Sequence, residues 1–166
     1  MRKWIFAAIL MLFTSAVGAD DRSASSKDLA VAAQLVDICG RLMPNNPEVE
    51  KEIEDLGFVT ARWNGRFHIL EDLAGGVSVI VSGLDTYDKH CGILVKGMEV
   101  DQAEKLIVPW LDRIDAIPSD ANSSKATKTW SGLIEGFLAS VSIFEESQHD
   151  RISGAWVRLV LRDKPI

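Results

Sequence analysis

Apolar residues recur at helical spacing from Asp28 to Met43. Leu29, Ala32, Ala33, Val36, Cys39 or Gly40, and Met43 fall on one face, so the spacing predicts a helix with a buried stripe. A second helix opens at Asn46, with Pro47 in the first turn and Glu48 and Glu50 at its positive end. Val49, Ile53 and Leu56 form its apolar stripe, and Gly57 supplies the stop. After Gly57 the period changes from helical to alternating. Phe58 to Trp63 and Arg66 to Leu70 flank Asn64-Gly65, the signature of a two-residue hairpin turn. Val77 to Ser82 places Val77, Val79 and Val81 on one face, and Gly83 to Lys89 reads as a polar turn. Cys91 to Lys96 then alternates with Cys91, Ile93 and Val95 inward.

The second half repeats the change of period. Asp101 with Glu104 resembles a capping box, opening a helix through Ala103, Leu106, Ile107, Trp110, Leu111 and Ile114. Pro109 lies inside that stretch and is expected to kink or divide it. Pro118 to Thr127 is polar and reads as a long exposed loop. Three strands follow, at about Thr127 to Leu133, Phe137 to Phe144 and Ala155 to Leu161. Short, hairpin-length connections point to an antiparallel sheet with helices packed on one face, a single α+β domain. A duplicated αβββ unit fits the order of elements, although no residue-level repeat accompanies it.

The first residues change the picture of location. Arg2 and Lys3 precede an apolar run from Trp4 to Phe13, and Val17-Gly18-Ala19 has the small side chains of a cleavage site. Residues 1–19 are therefore expected to be a signal peptide, 20–27 a flexible polar leader, and 28–166 the domain. The apolar run is too short for an ordinary membrane span of roughly twenty residues. No membrane span is expected after cleavage, and the location is periplasmic or secreted. In a eukaryotic setting Asn122-Ser123-Ser124 would be a glycosylation sequon. Loss of residues 1–19 removes two basic and no acidic side chains, so the net charge moves from −6 to −8. That sign opposes nonspecific binding to nucleic acid or anionic lipid.

Cys39 and Cys91 are the two cysteines of the chain. In an oxidising compartment they have one intramolecular pairing, and both fall on faces expected to be buried. A structural disulfide is the expected outcome, which removes them as nucleophiles. The chain holds no Cys-x-x-Cys, no Gly-x-Ser-x-Gly, no His-Glu-x-x-His, no Ser-x-x-Lys and no phosphate-binding Gly-Lys-Ser/Thr loop. No catalytic set and no cofactor are implied. Two weaker features remain. Asp85, Asp88 and His90, with Tyr87 and Lys89 between them, could ligate a metal or perform acid–base chemistry in a small hydrolase. They equally suit a solvated turn, and the spacing matches no established ligand set. His90 and Cys91 are adjacent on a strand and should face opposite ways. His68 and His149 read as surface histidines. Trp156 should point away from Val157, on the side of Arg158, and such a pair suits a partner or ligand surface. A tryptophan covered by a helix or loop is the plainer alternative.

Several of these positions together carry a resemblance. A first helix bearing Cys39, a second running into Gly57-Phe58, a strand Cys91-Gly92-Ile93-Leu94-Val95, a helix, a Trp130 strand and a final Ser153-Gly154-Ala155 strand resemble small periplasmic proteins of alphaproteobacteria. Pro109 departs from the uninterrupted second-half helix of that group. The resemblance implies no activity and no catalytic residues. The reading that follows is an exported, non-enzymatic domain that binds a protein or envelope component, through Trp156 and Arg158.

Overall fold

The computed structural model describes residues 23–43, 46–63, 65–82, 88–119, 126–145 and 154–165. The expected signal peptide, the start of the expected leader, Asn64, Asp85, Tyr87, the Asn122-Ser123-Ser124 stretch and His149 lie outside the described residues. Two helices come first, α1 (Ser26–Leu42) and α2 (Asn46–Asp55), then the strands β1 (Val59–Trp63), β2 (Phe67–Glu71), β3 (Val77–Ser82) and β4 (Asp88–Val95). The same order recurs as α3 (Val100–Leu106), α4 (Val108–Arg113), β5 (Ile117–Pro118), β6 (Lys128–Ile134), β7 (Phe137–Phe144) and β8 (Trp156–Pro165). All eight strands form one antiparallel sheet in the order β1-β2-β3-β4-β8-β7-β6-β5. Two meanders thus run outward from a central β4–β8 pair, each preceded by its own two helices.

Local chemistry sets the helix ends. Ser25 caps α1, its hydroxyl accepting from the Asp28 N–H at 3.1 Å, so order begins two residues before the expected start at Asp28. Gly57 closes α2 with φ of +92°, a conformation that costs glycine little. Leu56 was expected on the buried stripe of α2 but is 42% exposed, because the helix has already ended at Asp55. Pro109 divides the second-half helix as expected. Having no N–H, it leaves the chain to break at Ile107 and restart as α4 with proline in the first turn. The capping box is at Glu99 and Gln102 rather than at Asp101 and Glu104. The Glu99 N–H donates to Gln102 Oε1 at 3.0 Å, while Glu104 pairs with Lys128 of β6.

All four helices lie on one face of the sheet. Their apolar sides bury Leu35, Val36, Ile53, Ile107 and Trp110 against Val79, Ile93, Val141 and Ile143. Cys39 of α1 and Cys91 of β4 are disulfide-bonded across this core, with Cα atoms 6.2 Å apart and no solvent exposure. Gly40, within α1, explains how closely α4 approaches. A Cβ there would stand 2.9 Å from the Trp110 ring, whose Nε1–H donates to the Val36 carbonyl. Among the described residues no helix is long and apolar enough to cross a membrane.

Candidate functional site

Among the described residues the other face of the sheet carries no helix, yet it is not simply polar. Alternation places Phe67 and Ile69 of β2, Ile80 of β3, Leu94 of β4, Val160 of β8 and Phe144 of β7 on it. Strands apolar on both faces belong to sheets with something against each side. Here Leu94, Phe144 and Val160 are buried.

The centre of this face is a pocket of about 250 Å³. Phe67, Ile69 and Ile80 form one wall, Gly92 the floor, and Trp156, Arg158 and His90 the other side. The register explains the assembly. Gly92 lies opposite Ile80 on β3 and opposite Arg158 on β8, so its missing side chain opens the middle of the face. The Trp156 ring leans into that gap, 3.3 Å from where a Gly92 Cβ would stand. On its far side Trp156 stacks on Phe144, with ring centroids 4.1 Å apart and planes 14° from parallel.

Arg158 supplies the charge. Its Cζ lies 4.9 Å from the Phe144 centroid and 5.8 Å from that of Trp156, within cation–π range of the stacked pair. Its Nε is buried with no hydrogen-bond partner. Among the described residues no carboxylate pairs with it. Burial draws its pKa below the ordinary arginine value, but arginine stays charged at neutral pH. A partly desolvated cation with no anion among the described residues is an uncommon arrangement, because burying an unpaired charge is costly.

His90 lies diagonally from Arg158 and meets Phe67 edge-on, with centroids 5.5 Å apart. Burial holds its pKa below the ordinary 6.5, the positive Arg158 lowers it further, and Asp88 opposes both. The side chain is therefore neutral at pH 7. The unfolded chain binds the proton more readily, so the stability that neutral His90 contributes is complete above about pH 6.5. It is lost as pH falls from there through the depressed folded value. Denaturant titrations at about pH 7.5 and about pH 5 should show a larger fall for wild type than for His90→Gln. Equal falls would mean that His90 is not held neutral by the fold.

Asp88 was expected in a polar turn and instead belongs, with His90, to β4. Asp88 pairs in register with Arg162, and the His90 N–H donates to the Ser82 hydroxyl at 2.9 Å beyond the last β3 pair. They share a face two positions apart, whereas Asp85 lies outside the described residues. Among the described residues no three His, Cys, Asp or Glu side chains converge to hold a metal. Cys91 points into the helix-covered core, away from His90. His68 is not a free surface histidine: it contacts Glu50 of α2 and the Trp63 ring. Trp156 takes the outward face as expected, but it is half-buried rather than freely exposed.

The residues that the pattern alone missed are Phe67, Ile69, Ile80 and Gly92. Apolar side chains at outward positions of central strands were the signal for them. Comparison of the chain with protein families, with curated proteins and with solved structures found no match.

Proposed function

We propose that this protein is an exported, non-enzymatic binding domain whose site is the pocket on the uncovered face of the sheet. One observation carries the reading: an aromatic-walled pocket holds a partly desolvated arginine with no anionic partner among the described residues. Binding pockets have this composition, mostly apolar with a few placed polar groups. The basic, apolar and small-residue segments at the start of the chain support export, and a Cys39–Cys91 disulfide suits an oxidising compartment such as the periplasm. The ligand is then a component of the cell envelope or its lumen.

The test is recovery of the native load. The protein is isolated from the envelope fraction under native conditions, and the material released on denaturation is identified by mass spectrometry. Wild type is expected to release a molecule that Trp156→Ala does not, with the variant shown folded by circular dichroism. Equal release from both proteins would remove the pocket from the account.

A further inference from the structure

We infer that the pocket takes a small apolar monocarboxylate, the carboxylate on Arg158 and a ring or short chain between Ile80 and Trp156; this rests on the binding reading above. Charge decides the headgroup. The Arg158 guanidinium carbon lies 4.9 Å from the Phe144 ring centroid, its Nε–H is closed to solvent, and no carboxylate among the described residues pairs with it. The terminal Nη1 and Nη2 groups are then the pair left to meet the two oxygens of a carboxylate. His90 stands beside it as a neutral imidazole, which still presents one N–H and adds no second positive charge. One fixed cation selects a single anionic group over a dianion, all the more so in an acidic protein.

Size decides the body. A cavity of about 150 Å³ accommodates benzene, and drug-sized ligands occupy about 300 Å³ or more. The 250 Å³ here lies between the two, room for one ring or a comparable alkyl chain with its headgroup. Gly92 leaves the depth, and Phe67, Ile69 and Ile80 supply the apolar wall. The opposite wall is the flat face of a tryptophan already braced by Phe144, which favours a planar guest. A chain terminus of a peptide offers the same carboxylate, and a phenylalanine-terminated tripeptide separates it from a small acid in the titration.

The experiment is a calorimetric titration of the exported protein with 3-phenylpropanoate and with its uncharged counterpart 3-phenylpropanol. Wild type is expected to bind the carboxylate about tenfold or more tightly than the alcohol, the scale of a charge-assisted hydrogen bond. Arg158→Met keeps an apolar stem and should remove that difference. The comparison of two ligands on wild type needs no variant to fold. Equal affinity for both ligands would overturn the carboxylate assignment and leave the binding reading standing. So would binding of neither ligand, provided that the envelope load still depends on Trp156. Much tighter binding of a phenylalanine-terminated tripeptide would give the site to a chain terminus and overturn the small-molecule assignment. Carboxylate binding that survives Trp156→Ala undiminished would place it elsewhere and overturn both readings.

Discussion

Trp110→Ala is expected to destabilise the protein by about 3–5 kcal/mol, the range for deleting a buried tryptophan side chain. The ring is 1% exposed and sits where α4 meets α1. α4 has six residues, too few to persist without tertiary contacts, and Trp110 is its buried side chain. Removing it leaves a void against Gly40 and frees the short helix from the Val36 carbonyl. Gly40→Ala reports on the same contact with a reversed sign. In an unobstructed helix interior, glycine to alanine gains about 1 kcal/mol. Here the new methyl would stand 2.9 Å from the indole, so a net loss of stability is expected. Urea unfolding midpoints measure both effects. A loss below about 1 kcal/mol for Trp110→Ala, or a gain for Gly40→Ala, would contradict this packing.

Breaking the disulfide is the second large effect. Cys39 and Cys91 are 52 positions apart, and a closed loop of that size stabilises by about 4 kcal/mol in the chain-entropy model. The bond ties α1 to β4, the strand that joins the two meanders, so the first-half sheet and α2 lie inside the loop. Cys39→Ser, Cys91→Ser and the double variant should lose similar stability, because each removes the same link. A reductant should bring wild type to the same level. Non-reducing mass spectrometry of the protein should show the two residues linked; two free thiols would contradict it. A much larger loss from one variant alone would give that cysteine a separate role.

How far the sequence foretold this molecule depends on the range of the interactions. α1, α2, β3 and β7 follow from spacing and punctuation within a few residues, such as Pro47 and Gly57 around α2. The split at Pro109 is equally local, because a missing N–H acts on the turn that contains it. The start of β4 was not legible. Asp88 and Lys89 have turn-like composition, and only register with Arg162 and Leu161, 74 and 72 positions later on β8, makes them extended. The shift of the capping box has a similar cause, since Glu104 is engaged by Lys128 of β6. The recurrence of two helices and four strands shows in the strand order even though no residue repeat marks it.

The site divides in the same way. The outward direction of Trp156 and its place beside Arg158 follow from alternation in one strand. The pocket does not, because its parts come from β2, β3, β4 and β8, and its floor is the absent side chain of Gly92. Nor could one strand reveal that Phe144 braces Trp156 and carries the Arg158 guanidinium. The disulfide was legible because both cysteines fall on inward faces of separately readable elements.

The central claim is that Arg158, without a carboxylate partner among the described residues, receives a ligand's carboxylate. Its terminal Nη–H groups are the atoms to watch, by nitrogen-detected magnetic resonance of the labelled protein. With 3-phenylpropanoate the Arg158 Nη–H resonances should move downfield and their exchange with water should slow, while 3-phenylpropanol should leave them in place. Unmoved resonances at saturating carboxylate would contradict the account.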